Sequence, residues 1–247
     1  MQSLACQTEL IDNVFFNGPR AGINFNDGFG GGNLLKNNLI FNHVRETQDH
    51  GQFNSWDRLP YLTDVKTGTA SLISALSNVT RNFIINTYNS LYPIDHDDGS
   101  CYYLDTYNYL IYGGYKNYLG HSKTVQNNVY VYPDTNPIKP FCGVCNGASR
   151  DYLPSGWGEV YSNNTCLMGN PNIYQFGSCN LDDPEGLIPF TAFNKFYAPN
   201  KDVYIKCQGA ELSLYVFQKL GYDKGSTVSD PVDTATVIKW GKDLLGM

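Results

Sequence analysis

The sequence has few charged residues and no long apolar run. Only 16% of its 247 residues are charged, and 23 Asp and Glu outnumber 17 Lys and Arg. A nucleic-acid binder depends on a basic surface, so this acidic balance predicts no nucleic-acid partner. No stretch approaches the roughly 18 to 20 uninterrupted apolar residues that a membrane-spanning helix needs. Because a repeat is already under way near Asp12 and no secretion signal precedes it, we expect an upstream part of the protein to be missing.

Cysteine, by contrast, is frequent enough to indicate the compartment. The seven Cys residues are many for a reducing environment, and two N-glycosylation motifs begin at Asn78 and Asn163. These features predict a secreted or cell-surface glycoprotein. The region after residue 134 loses the repeat described next and needs another constraint, so we expect at least one disulfide bond there. The candidate cysteines are Cys142, Cys145, Cys166 and Cys179.

A short pattern of Asn, three apolar residues, and then Asn or Tyr recurs along the chain. It occurs at Asn13–Asn17, Asn38–Asn42, Asn82–Asn86, Asn108–Tyr112 and Asn128–Tyr132. If the longest interval, from Asn38 to Asn82, hides two turns, the period is about 22 to 25 residues, which is typical of solenoids. Such a unit is too short for a strand, a helix and two loops, so it favours stacked β-coils. The repeated Asn is best explained as an internal ladder of amide side chains.

The predicted fold is therefore all-β, a right-handed parallel β-helix with a short helical C-terminal cap. Residues 1–210 form the predicted β-helix, and residues 211–247 form the tail. Within that tail, 211–220 and 233–245 show helical spacing, and Gly221 provides a stop for the first helix. Open strand edges invite aggregation, so we expect the tail to cover the end of the solenoid.

All four histidines lie among polar residues that follow three of the repeated strands. The three segments are 43–58, 95–100 and 115–123, and each trails its strand by a similar distance. In a solenoid, equivalent positions of successive coils stack on one face. These segments are therefore expected to form one groove.

The same segments carry a family resemblance. DHGQFNSWDR at 49–58, IDHDDGS at 94–100, GGYKNYLGHSK at 113–123 and GYDKGSTVSDP at 221–231 resemble uncharacterised right-handed β-helix proteins of the pectate-lyase-like superfamily. The resemblance implies a β-helix that cleaves or epimerises a polysaccharide. Polygalacturonase-type hydrolases of that superfamily carry an Asp-Asp pair and a later Gly-His, for which this chain offers Asp97-Asp98 and Gly120-His121.

Hydrolysis of a glycosidic bond needs one protonated and one ionised carboxyl group. Two carboxyl groups that share a site provide this, because the pKa of one of them rises. The predicted catalytic residues are Asp95, Asp97, Asp98 and His121. An alternative is a Ca²⁺ site or an Asx turn at these carboxylates, since Ca²⁺ binds clustered carboxylate oxygens. No cofactor other than Ca²⁺ is expected, and no zinc site is predicted because no His pair has the helical spacing of a metalloprotease.

Further polar and aromatic residues of the three segments are predicted to bind the polysaccharide. They are His43, Arg45, His50, Asn54, Trp56, Asp57, Arg58, His96, Tyr115, Lys116 and Lys123. The alternative to a binding or catalytic role for the four histidines is a structural one, in which they form hydrogen bonds within the fold. The leading hypothesis is a glycoside hydrolase that uses the carboxylate pair. Two alternatives remain, namely a lyase or epimerase that uses Lys or Arg with a cation, and a non-catalytic carbohydrate-binding or surface-structural protein.

Overall fold

The structure is a computed structural model that describes most of the chain. The described residues are 2–3, 7–26, 30–58, 61–63, 70–87, 90, 92–133, 158–176, 188–207 and 209–247. Cys6, Cys142, Cys145 and Cys179 lie outside these residues, so the predicted disulfide among the later cysteines stays a prediction. Cys101 is a free, buried thiol, whereas Cys166 and Cys207 are disulfide-bonded.

Three parallel sheets make up most of the described structure. Sheet A contains β1 (Gln2–Ser3), β4 (Ile23–Phe25), β7 (Phe53–Ser55), β12 (Ile94–His96) and β15 (Tyr115–Asn117). Sheet B contains β2 (Glu9–Ile11), β5 (Leu34–Lys36), β10 (Ser77–Thr80), β13 (Cys101–Thr106), β16 (His121–Gln126), β18 (Val160–Ser162) and β21 (Phe190–Ala192). Sheet C contains β3 (Val14–Phe16), β6 (Leu39–Phe41), β11 (Phe83–Ile85), β14 (Tyr109–Ile111), β17 (Val129–Val131), β19 (Thr165–Leu167), β22 (Lys195–Tyr197) and β25 (Thr227–Ser229).

The remaining elements are short. β20 (Asn172–Phe176), β23 (Tyr204–Cys207) and β24 (Ala210–Ser213) form a small mixed sheet, and β8 (Tyr61–Thr63) pairs antiparallel with β9 (Ala70–Ser74). A 3-10 turn spans Pro199–Lys201, and the helices in the described part of the chain are α1 (Leu214–Lys219) and α2 (Thr234–Leu245). Neither helix is long and apolar enough to cross a membrane. The described chain is thus mostly β and solenoid-like.

The predicted stacking of the repeated apolar segments is confirmed. Leu39–Phe41, Phe83–Ile85 and Tyr109–Ile111 are neighbouring parallel strands of sheet C, paired residue by residue. The interval of 44 residues between Asn38 and Asn82 does not hide two turns, because these residues lie on adjacent coils. The extra length includes the β8–β9 hairpin. An insertion in one coil therefore broke the period that the sequence suggested.

The asparagine ladder is also confirmed, and it runs further than the sequence indicated. Each backbone N–H of the ladder donates to the side-chain oxygen of the equivalent residue on the next coil, at 2.8–3.0 Å. The successive members are Asn13, Asn38, Asn82, Asn108, Asn128, Asn164, Asn194 and Ser226. The residue before each Asn has a φ of 55–60°, which turns the chain sharply from sheet B to sheet C. The ladder satisfies the N–H groups that these tight turns would otherwise leave buried and unpaired.

Replacing Asn108 with Ala is expected to lower the free energy of unfolding by about 2–3 kcal/mol. The buried Asn108 side chain accepts from the Asn82 backbone N–H at 3.0 Å and donates to the Val79 carbonyl at 2.8 Å. Both partners would lose these bonds. Urea unfolding measures the loss, and Asn13→Ala at the exposed end of the ladder is the matched control, expected to cost less than about 1 kcal/mol. Equal losses at the two positions would contradict the ladder's role.

The tail differs from its prediction in three respects. The predicted helix over 211–220 is shorter, because Ala210–Ser213 forms β24 and α1 begins at Leu214. Parallel pairing continues to β25, which adds a strand to sheet C beyond the expected boundary at residue 210. Helix α2 lies against the outer face of sheet C, over β14 and β17, and not over the end of the solenoid. Its apolar side chains pack against the outward apolar side chains of that sheet, such as Tyr109 and Val131. Burial of this apolar face decides where α2 packs.

Candidate functional site

The outward face of sheet A carries a row of polar residues from four successive coils. Asn24, Asn54, Asp95 and Lys116 are paired in register across β4, β7, β12 and β15. Each is the middle residue of a three-residue strand, so its side chain points away from the core while its neighbours point inward. All four are nevertheless buried. Burial makes their partners decisive, because a buried polar group without a partner is costly.

Lys116 lies at the centre of three carboxylates. Its ammonium nitrogen is 3.0 Å from Asp95 Oδ1, 2.8 Å from Asp97 Oδ1 and 3.8 Å from Asp49 Oδ1. We call these four residues the carboxylate–lysine cluster. Asp95 and Asp97 point to the same side, since both bind this ammonium group.

Burial and neighbouring charges act in opposite directions on the pKa values of Asp95 and Lys116. Burial raises the pKa of Asp95 to about 7, and the positive charge of Lys116 only partly offsets this rise. Burial alone would lower the pKa of Lys116, but the charge of Asp95 and hydrogen bonds to Asp97 raise it above the ordinary value. Lys116 therefore stays protonated at neutral pH, while Asp95 is close to its titration midpoint.

The cluster also bears on the predicted Ca²⁺ site. Oxygens of Asp49, Asp95 and Asp97 lie within 4.8 Å of one another, which suits an oxygen-binding cation. The Lys116 ammonium group already lies within 3.8 Å of all three side chains. A divalent ion would have to displace this positive charge. The arrangement thus supports an internally compensated cluster more strongly than a calcium site.

Aromatic side chains and further charges border the cluster. Lys116 lies 5.8 Å from the ring centre of Tyr118, and Arg58 lies 5.8 Å from that of Trp56. Arg58 also pairs with Asp98 at 3.3 Å, with both side chains more than 40% exposed. The cluster and this border of Trp56, Arg58, Asp98 and Tyr118 form a surface that we call the sheet A surface.

His50 is at a further edge of this surface. Its Nε2 accepts a hydrogen bond from Arg20 Nε at 2.9 Å. Burial lowers the pKa of His50, and the charge of Arg20 lowers it further. His50 is therefore a neutral acceptor at neutral pH. Asp97 and Lys116 are near enough to influence its titration.

The other predicted histidines lie elsewhere. His121 contacts Ser122 Oγ at 3.1 Å and the edge of the Tyr102 ring, and its pKa is lowered by burial. His43 is buried, and its Nδ1 accepts from the Gly18 backbone N–H at 3.0 Å. A side chain at Gly18 would approach His43 Nδ1 to 2.4 Å, so this glycine is required for close packing. Arg45, close to His43 in sequence, is exposed.

His96, a predicted ligand-binding residue, belongs to the interior. Its Nδ1 lies 2.6 Å from Ser55 Oγ, and its Nε2 lies 2.8 Å from Asp105 Oδ2. These three residue types also form nucleophilic triads, but there serine contacts Nε2 and the carboxylate contacts Nδ1, the reverse of the contacts of His96. All three side chains are also completely buried. Burial also lowers the pKa of His96. A substrate cannot reach it, so the arrangement is structural.

Asp57, Tyr115 and Lys123 are likewise inside the coil and do not line a groove. The Tyr103 hydroxyl donates to Asp57, whose pKa burial raises to about 8. Lys123 pairs with buried Glu159 at 2.9 Å. The prediction that Asp57, His96, Tyr115 and Lys123 face the ligand is wrong for the described structure, because all four side chains are buried.

Sequence reasoning missed several residues around the site. Asp49 lies in a motif of the sequence but has no predicted role, and Asn24, which lies on β4, is not among the predicted residues. Tyr118 was within a recognised segment, and Arg20 lay outside all of them. The signal for Asn24 was its position between two apolar residues, which is the alternation of a half-buried strand.

The comparisons with known proteins add no identity to this geometry. No known protein family, curated protein or solved structure matches the chain. The class of protein is therefore defined by the fold and the site alone, as a mostly β, solenoid-like chain with a charged and aromatic surface on sheet A.

Proposed function

We propose that the chain is a right-handed parallel β-helix from a secreted or cell-surface protein, and that its sheet A surface binds a polysaccharide without cleaving it. Each passage of the chain adds one strand to the parallel sheets in turn, which supports the β-helix. Crossovers between parallel strands are right-handed in nearly all proteins. The disulfide-bonded state of Cys166 and Cys207 supports an oxidising compartment.

The observation that carries the proposal is the combination of aromatic rings and fixed charges along successive coils. Trp56 and Tyr118 offer faces on which sugar rings stack, and Asp97, Asp98 and Arg58 offer hydrogen bonds to hydroxyl groups. Parallel strands rise about 4.8 Å per coil, so these groups repeat along an axis that an extended polymer can follow.

Binding is favoured over hydrolysis because the carboxylates are already engaged. Hydrolysis requires a carboxylic acid and a carboxylate that face each other across an open space. Asp97 binds Lys116, and Asp98 binds Arg58. Lyase chemistry needs a neutral base, and the raised pKa of Lys116 opposes this role.

Hydrolysis remains the second candidate because of one observation. Asp95 has a pKa of about 7, and its oxygen lies within 4.8 Å of an oxygen of Asp97. A protonated and an ionised carboxyl group at close range are the pair that retaining glycosidases use. In this reading Asp95 is the acid and Asp97 the nucleophile, which replaces the predicted pair of Asp97 and Asp98. Asp95 is completely buried, so hydrolysis also requires a movement that exposes it to the substrate.

A panel of neutral and acidic polysaccharides tests both candidates in affinity electrophoresis, with reducing ends and unsaturated products assayed in parallel. We expect a retarded band without product release, and Trp56→Ala or Tyr118→Ala is expected to weaken binding roughly tenfold, because each variant loses a stacking face. Tyr215→Ala removes an exposed ring of α1 and is the matched control. Product release that Asp97→Asn abolishes would establish hydrolysis instead, and binding unchanged in both aromatic variants would refute the proposed surface.

A further inference from the structure

A cavity whose described lining includes no sheet A residue lies between sheet C and α2. Its volume is about 380 Å³, within the range of roughly 300–1,000 Å³ that small-molecule sites occupy. Residues of sheet C, the turns before it and α2 line the cavity. None of them belongs to the sheet A surface, so the cavity is an independent feature.

Three aromatic side chains from three elements form part of the cavity wall. Trp240 of α2 packs against Tyr197 of β22, with their ring centres 5.1 Å apart, and Tyr107 lies in the turn before β14. All three rings are at least partly exposed. Partly exposed rings around a small cavity provide stacking faces for the apolar faces of a sugar ring.

The helix is fixed in place beside this cavity by two side chains of the sheet region. The Tyr109 hydroxyl donates to the Val237 carbonyl at 2.8 Å, and Arg81 donates to the Leu244 carbonyl at 2.8 Å. Arg81 also lies 5.4 Å from the ring centre of Tyr107. The wall is thus held in one arrangement before a ligand binds, which lowers the entropy cost of binding.

The charges that line the cavity leave a positive excess. Arg81 and Lys195 are both cationic, and Asp243 is the single acidic side chain among the described residues of the lining. Asp243 already pairs with Lys239 on the same helix. The partial negative charge at the C-terminal end of α2 is compensated by the bond from Arg81 to Leu244. Lys195 is exposed on β22 and lines the cavity.

We propose that this cavity binds a sugar unit that carries a carboxylate. The aromatic walls stack on the ring, Lys195 and the free edge of the Arg81 guanidinium bind the carboxylate, and Thr165 reaches a hydroxyl group. A neutral sugar would use the walls but leave the two cations uncompensated. A small anion without a ring would use the cations but leave the aromatic walls unfilled.

Titration of the indole N–H signals by heteronuclear NMR tests the proposal with three probes. Glucuronate has both the ring and the carboxylate, glucose lacks the carboxylate, and acetate lacks the ring. We expect glucuronate to shift the Trp240 signal, assigned from Trp240→Phe, and to bind at least fivefold more tightly than glucose or acetate. Lys195→Gln is expected to weaken glucuronate binding about fivefold and to leave glucose binding unchanged.

Lys219→Gln removes an exposed Lys of α1 and is the matched control, with no expected effect. Lys195 is exposed, so its replacement keeps the fold and separates a binding defect from unfolding. Equal affinities for glucuronate and glucose, equal affinities for glucuronate and acetate, or no shift of the Trp240 signal would each overturn the proposal. Loss of polysaccharide binding at the sheet A surface would leave these outcomes unaffected, so the two proposals fail separately.

Discussion

Asp57→Asn is expected to change how the stability of the protein depends on pH. Burial raises the pKa of Asp57 from 3.8 to about 8 in the folded state. The folded protein thus holds this proton more tightly than the unfolded chain. Its contribution to stability is fully present below pH 4 and is lost as the pH rises through about 8. Above that pH the folded protein must hold a buried carboxylate.

The side chain that Asp57→Asn introduces cannot ionise, so the variant does not lose stability in this way as the pH rises. Relative to Asp57→Asn, the wild type is expected to lose on the order of 4 kcal/mol between pH 5 and pH 9. Urea unfolding of both proteins across this range measures the difference. Asp98→Asn is the control, because Asp98 forms an exposed pair with Arg58 and its loss is expected to cost less than about 1 kcal/mol at every pH. Parallel curves for wild type and Asp57→Asn would show that Asp57 is not a buried acid.

Lys116→Met is expected to lower the free energy of unfolding by about 3–5 kcal/mol at pH 8. The substitution retains much of the side-chain length but leaves Asp95 buried beside Asp97 and Asp49 without the ammonium group. At pH 5 the loss is expected to be smaller, because Asp95 then takes up a proton. Chemical unfolding at the two pH values measures both effects.

The double variant Lys116→Met/Asp95→Asn is expected to recover part of this stability, because the buried charge is then absent. Lys239→Met is the matched control, since its partner Asp243 is exposed on α2 and such surface pairs contribute less than about 1 kcal/mol. A loss at Lys116 no greater than the loss at Lys239 would contradict the central position of Lys116 in the cluster.

The strand repeat could be predicted because it depends on residues that are close together in the sequence. Asn38, Asn82 and Asn108 each precede three residues that alternate between the core and the outer face, and each ends a tight turn. These requirements act within a few residues, so periodicity finds them. The insertion before Asn82 could not be recognised, because a hairpin of 61–63 and 70–74 contains its own apolar residues.

The candidate site was predicted only in part. The segments that carry Lys116, Asp95 and Asp97 were found from their polar composition, and these three residues do meet. Their neighbours His96 and Asn117 occupy the same strands but face the core. A shift of one residue along a strand exchanges the two faces. The sequence shows that a residue lies in a polar segment. Whether its side chain faces the core or the surface depends on the register of the strand with the neighbouring coils.

The sequence by itself determined the parallel strands, the amide ladder and the helical tail, because turn conformation, strand alternation and helix capping are local properties. The helical spacing of 233–245 predicted α2, which Asp233 caps and Gly246 ends. Only the tertiary structure decided which charges are compensated, where α2 packs, and which carboxyl groups are buried. These outcomes depend on contacts between residues far apart in the chain, such as Lys123 with Glu159, whose energy depends on burial that no local pattern records.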